Sequence, residues 1–204
     1  MSQFTYEFSE QKTPLETFEW DNVWIEQTGN REARRVLYIG DSISCGTRQI
    51  ATRVSQNTYL FDGFGTSKAL DNPYFFDSVH LFASQLTKIE TVIFNNGLHG
   101  WHLDDETEYR EYYEKAIKFL LKEFDGKKIF LVLTTSVADA EREARVNLRN
   151  DAVKKLAKKY NLPIIDLYST SVEYAEFRLD DGVHYSGVGY NEFACKILKD
   201  IKVE

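Results

Sequence analysis

Val36-Leu37-Tyr38-Ile39-Gly40-Asp41-Ser42-Ile43-Ser44-Cys45-Gly46 is the stretch that decides how this chain is read. Its first four residues are apolar without alternation, which is the character of a strand covered on both faces. Gly40 lets the chain turn sharply off that strand. Asp41 and Ser42 then stand where a helix begins, where unpaired N–H groups point outward and the helix dipole favours negative charge. Asp-Ser at such a point can be an ordinary helix cap. The same N–H groups can also stabilise the oxyanion of a tetrahedral intermediate formed by a nucleophilic serine. A phosphate-binding turn fits poorly, because glycines are few and Asp41 would repel the anion.

Working outward, further β-rich runs occur at Tyr59–Phe61, Thr91–Phe94, Ile129–Thr134 and Pro163–Leu167. Helical spacing fills residues 73–87, 105–124, 140–160 and 187–201 between and after them. Tyr109, Tyr112, Tyr113, Ala116, Ile117, Leu120 and Leu121 follow the pattern of a half-buried helix. Pro73 suits a helix start, with Asp71 and Asn72 as possible caps, and Asp104 and Asp105 suit the cap of the next helix. Strands alternating with helices of this length predict a parallel sheet covered on both faces. The expected fold class is α/β, a three-layer α/β/α sandwich with a mostly parallel five-stranded sheet on residues 35–204. Residues 1–34 form an N-terminal arm in which 20–27 can add one strand. Ligands of such sheets bind outside the carboxyl ends of the strands, in the loops after residues 39, 61, 94, 134 and 167.

A serine needs a base. Of His80, His99, His102 and His184, the last lies in Leu179-Asp180-Asp181-Gly182-Val183-His184-Tyr185-Ser186, a loop between the last strand and the closing helix. Asp181 precedes His184 by three residues, so one turn can bring carboxylate and imidazole together and fix the ring tautomer. Asp180 is the competing carboxylate. An incidental histidine in a solvated turn has the same local sequence. The decisive point is that both segments fall at one edge of the predicted sheet, in the workable order Ser, Asp, His. His80 sits in an apolar helix stretch and reads as structural.

Composition limits the alternatives. A chain of 204 residues with 43% hydrophobic and 28% charged content suits one soluble domain. A net charge of −7 argues against a nucleic-acid partner. Lys154, Lys155, Lys158 and Lys159 read as a solvated helix face. No apolar run reaches the roughly 20 residues of a membrane span, so no membrane partner is expected. No leader pattern is visible, and two cysteines, Cys45 and Cys195, do not make a disulfide scaffold. The expected location is therefore cytoplasmic.

Gly40-Asp41-Ser42-Ile43 with Gly46 resembles the first block of the GDSL/SGNH hydrolase family, and Asp181-Gly182-Val183-His184 resembles its last. The resemblance spans residues 35–200. It implies a flavodoxin-like sandwich, a serine nucleophile, no metal or organic cofactor, and hydrolysis of acyl esters of sugars or lipids or of thioesters. For the second block, whose glycine N–H joins the oxyanion hole, Gly65 is the choice and Gly63 the rival. The third block, normally G-x-N-D, corresponds to Gly97-Leu98-His99-Gly100, like an N-x-G-L-H variant. His99 thus takes the asparagine place, with Asn95 and Asn96 as rival donors or simple turn formers. The resulting expectation is an esterase with catalytic Ser42, His184 and Asp181. Its oxyanion donors would be Ser42, Gly65 and either His99 or Asn96. Asp41, Trp101 and His102 are the candidate substrate-facing residues, the last two as a wall for a sugar ring. Asn147, Arg149 and Asn150 can reach the pocket mouth, though surface exposure is the simpler reading. The expected substrate is a small molecule or carbohydrate ester. Oligomeric state is not legible.

Overall fold

The computed structural model describes residues 14–103 and 106–202. Asp104 and Asp105, expected as helix caps, lie outside the described residues, as do residues 1–13 of the arm. The elements in chain order are β1 (Asp21–Trp24), β2 (Arg34–Gly40), α1 (Ser42–Val54), β3 (Tyr59–Thr66), α2 (Phe75–Ala83) and β4 (Ile89–Phe94). They continue with α3 (Glu106–Glu123), β5 (Lys128–Val132), α4 (Ala140–Tyr160), β6 (Ile164–Ile165), α5 (Leu167–Glu173) and α6 (Gly187–Lys202). The six strands form one sheet in the order β1-β3-β2-β4-β5-β6. All neighbours are parallel except β1, which runs antiparallel along β3.

The three-layer α/β/α sandwich expected from the sequence is therefore present, with six strands where five were counted. The sixth is β1, from the segment read as an arm. Because β1 is hydrogen-bonded into the sheet, residues 21–24 belong to the domain and are no appendage. Two further differences have local causes. β3 runs on through Gly63 and Gly65 to Thr66, because those glycines leave room for α1: a Cβ at Gly63 would meet Arg48 Cδ at 2.4 Å, and one at Gly65 would meet Cys45 Sγ at 2.2 Å. The last strand shrinks to Ile164–Ile165 because Asp166 caps α5, accepting from the Ser169 N–H at 2.9 Å.

The central strands explain the layering. Alternate residues of β2 point to opposite faces. Val36 and Tyr38 join Phe61, Ile93, Phe130, Val132, Phe193 and Ile197 beneath α1 and α6. Leu37 and Ile39 join Val92, Phe94, Tyr113, Ile117, Val153 and Leu156 beneath α2, α3 and α4. Crossovers from β2 lead first to β3 on one side and then to β4 on the other. The strand order reverses there, so a crevice opens at the carboxyl ends of β2 and β4.

Candidate active site

Ser42 is the first residue of α1, directly beyond the carboxyl end of β2, and is half-buried. Asp41 caps the helix by accepting from the Ile43 N–H at 2.9 Å. Ser42 N–H is at the first helical position, where no helix carbonyl is available to it, at the positive end of the helix dipole. His184 and Asp181 lie on a tight loop closed by Leu179 N–H to His184 O at 2.7 Å and by Gly182, whose φ of +76° favours glycine. A bond from Ala138 N–H to Gly182 O at 2.8 Å ties that loop to the one after β5.

Ser42 and His184, 142 positions apart, meet. His184 Nε2 lies 2.8 Å from Ser42 Oγ, and His184 Nδ1 lies 2.9 Å from Asp181 Oδ2. Asp181 Oδ1 accepts from the N–H groups of Val183 and His184, both at 2.8 Å. The carboxylate is thus an acceptor at both oxygens, which leaves Nδ1 as the protonated ring nitrogen and Nε2 as the acceptor facing Ser42. Asp180 has no place in this relay.

Burial acts to raise the Asp181 pKa, but the backbone N–H groups of His184 and Val183, with the His184 ring, outweigh it and hold the carboxyl below its ordinary value. A depressed folded pKa contributes stability that is fully present above the ordinary carboxylate pKa of about 3.9 and lost as pH falls through the depressed value. Asp181→Asn keeps one acceptor oxygen and removes the charge. It is expected to melt below wild type near neutral pH, with the gap closing below roughly pH 4. Melting curves across that range check this; a gap independent of pH would contradict it.

The other expected site residues have different placements. Gly65 is interior to β3, opposite Gly40 on one side and Asn22 on the other. A strand N–H lies in the plane of its sheet, so the Gly65 amide is directed at a neighbouring strand and not at Ser42. Gly63, its rival, lies deeper in β3, opposite Tyr38 and Trp24. His99, 3% exposed, has Nδ1 at 3.0 Å from Glu16 Oε1 and its ring edge against Trp20. Asn96 donates to Lys68 O at 3.1 Å, and Asn95 to Val132 O at 2.8 Å, so both amides tie loops together.

The three candidate substrate-facing residues are all buried. Asp41, 4% exposed, caps α1 and packs its second oxygen against Gly97. Trp101 lies in an apolar cluster with Leu98, Val137, Val146 and Val183, beneath the guanidinium groups of Arg145 and Arg149. His102 pairs with Asp71 at 2.8 Å. An aromatic wall for a sugar ring is therefore not formed by these two. Asp71 is also no cap for α2; Asn72 accepts from the Tyr74 N–H just before that helix. His80, read as structural, is exposed and pairs with Glu123.

Arg149 and Asn150, read as exposed, are buried: Asn150 bonds both N–H and carbonyl of Thr134, and Arg149 holds the carbonyls of His99 and Gly100. Asn147 remains exposed. Glu16 is the residue at this loop that the sequence reading missed, and Arg149, named there as able to reach the pocket mouth, was weighed as exposed. Their partners are 83 and 50 positions away, so no local spacing marks them. Burial pushes up the thiol pKa of Cys45, one turn after Ser42, which disfavours the thiolate form. Among the described residues no group of three or more His, Cys, Asp or Glu could hold a metal ion. No described helix is long and apolar enough to cross a membrane.

No family model and no curated protein matches the sequence. Solved structures do match. A member of the lipolytic protein G-D-S-L family from Veillonella parvula superposes with a TM-score of 0.66 at 18% identity, over 84% of this chain and 100% of that one. Axe2, an acetylxylan esterase from Geobacillus stearothermophilus, gives 0.65 at 16% identity, over 86% and 98%. The C-terminal catalytic domain of peptidoglycan O-acetyltransferase A from Streptococcus pneumoniae gives 0.63 at 19%, over 83% and 93%. Identities this low establish architecture and not activity, and the architecture agrees with the one reached from β2 outward. The chain has the GDSL/SGNH hydrolase fold.

Proposed function

We propose that this protein is a serine ester hydrolase for small acyl esters, with acetylated carbohydrate as its substrate class. The observation that carries the reading is the Ser42–His184–Asp181 relay. Ser42 Oγ attacks the acyl carbonyl as its proton passes to His184 Nε2. Asp181 holds the ring and stabilises the imidazolium. The oxyanion forms at the N-terminus of α1, where the Ser42 N–H and the helix dipole favour it. His184 then protonates the leaving alkoxide, and water repeats the steps on the acyl-enzyme to release the acid.

The comparisons favour a small acyl group. Neighbours of the same fold include an acetylxylan esterase and an O-acetyltransferase domain. A second reading, a binding module that holds an ester without turnover, draws on the placement of Gly65, whose amide lies within the sheet.

Fluorophosphonate labelling separates the two. The expected result is one covalent adduct, mapped to the peptide containing Ser42, together with faster hydrolysis of p-nitrophenyl acetate than of longer-chain esters. No adduct under conditions that label a control serine esterase would exclude the hydrolase reading and favour the binding module.

A further inference from the structure

Residues 97–100 lie beside the nucleophile's neighbour: a Cβ at Gly97 would meet Asp41 Oδ2 at 1.7 Å. Gly97 and Gly100 have φ of +63° and +75°, so this loop has little stiffness of its own. Side chains from elsewhere fix it. Glu16 Oε1 accepts from the Gly100 N–H at 3.2 Å and pairs with His99 Nδ1 at 3.0 Å. From α4, Arg149 donates to the carbonyls of His99 at 2.8 Å and Gly100 at 2.6 Å, while stacking on Trp101 and Tyr109.

The segment that carries Glu16 also grips the turn after β3. Trp20 N–H donates to Ser67 Oγ at 2.8 Å, and Ser67 N–H donates to Trp20 O at 3.0 Å. The bond from Asn96 to Lys68 O joins the two loops to each other. A segment that only covered the domain would bury its apolar residues. This one does the reverse: Leu15 and Phe18 are 48% and 62% exposed, while Glu16 is 9% exposed. Burying a carboxylate is costly unless it is bonded, so the local pattern is built around what Glu16 holds.

We propose that Glu16 is a positioning residue for acyl transfer at Ser42: it fixes residues 97–100, and through them the 66–68 turn, as the rim on which the acyl group is oriented. The inference rests on the hydrolase reading above and assigns the segment before β1 to that site. Glu16 acts through the loop and touches no reacting atom.

The test compares kcat and KM for p-nitrophenyl acetate, per folded molecule by circular dichroism and melting, in wild type, Glu16→Ala, Glu16→Gln, Arg149→Lys and Phe18→Ala. A misplacement of about 1 Å can cost on the order of 100-fold. The expected result for Glu16→Ala is a kcat lowered roughly 10–100-fold, with KM within about threefold of wild type. Glu16→Gln, which keeps an oxygen for the Gly100 N–H, should recover most of the loss, and Phe18→Ala should match wild type. Arg149→Lys, which breaks the grip from the opposite side, should repeat the kcat effect even if Glu16→Ala fails to fold. Folded Glu16→Ala or Arg149→Lys with wild-type kcat, or a loss confined to KM, would overturn the inference. A wild-type chain that is neither labelled nor active would defeat the hydrolase reading instead.

Discussion

Ser42→Ala is expected to lower p-nitrophenyl acetate hydrolysis by roughly 10⁴-fold or more, equivalent to about 5.4 kcal/mol of lost transition-state stabilisation. The substitution removes the hydroxyl that His184 Nε2 faces, while the N–H at the start of α1 and its dipole persist. The residual rate therefore measures what the oxyanion environment contributes alone. His184→Ala should cost a comparable amount, since Ser42 Oγ, 2.8 Å from Nε2, would lose its proton acceptor. The two losses should not add. A nucleophile and its base act as a unit, so the double variant is expected to retain about the activity of either single one. Melting temperatures should change little for Ser42→Ala, because the hydroxyl is half-buried and belongs to no core cluster. Activity within tenfold of wild type in Ser42→Ala would place the nucleophile elsewhere.

The largest expected stability effect lies away from the crevice, at Arg35 and Asp62. Arg35 Nη1 donates to both Asp62 oxygens at 2.9 and 3.0 Å and to Glu26 O at 3.0 Å. Its Nη2 reaches Gln27 O and Asn30 O. Asp62 Oδ1 also accepts from the Glu26 N–H at 2.9 Å. The two side chains are 7% and 0% exposed, so the pair pins the segment after β1 to the centre of the sheet out of reach of water.

Asp62→Ala leaves a buried guanidinium without its counter-charge, a situation that typically costs about 3–5 kcal/mol. At roughly 2–4 °C per kcal/mol for a chain of this size, Tm should fall by about 6–20 °C. Replacing both partners by apolar residues, Arg35→Met with Asp62→Leu, should be less harmful than Asp62→Ala alone, because no charge is stranded. The exposed Lys159–Glu114 pair is the natural control; its loss should cost under about 1 kcal/mol. An Asp62→Ala melt indistinguishable from that control would refute the stranded-charge account.

The fold was legible because its evidence is local and periodic. The unbroken apolar runs of β2 and β5 announced doubly buried strands, and the helix over residues 140–160 was expected with the bounds observed for α4. The sixth strand was allowed for within residues 20–27 but left outside the count of five: all four residues of β1 are exposed, so it carries no buried face to read. β3 was read only as far as Phe61, and only the overlying Arg48 and Cys45 explain Gly63 and Gly65 as packing positions within it.

For the site, sequence alone determined that Asp181 and His184 share one turn and that Ser42 begins a helix, since each follows from neighbours within a few residues. Tertiary structure alone decided that the two segments meet, that the Gly65 amide lies within the sheet, and that Trp101 and His102 face inward. It also placed Glu16 and Arg149 around the 97–100 loop. The physical reason is reach: a helix cap or a three-residue offset is set by backbone geometry, whereas a buried polar side chain is satisfied by whatever group the fold brings near, and sequence separation does not encode that.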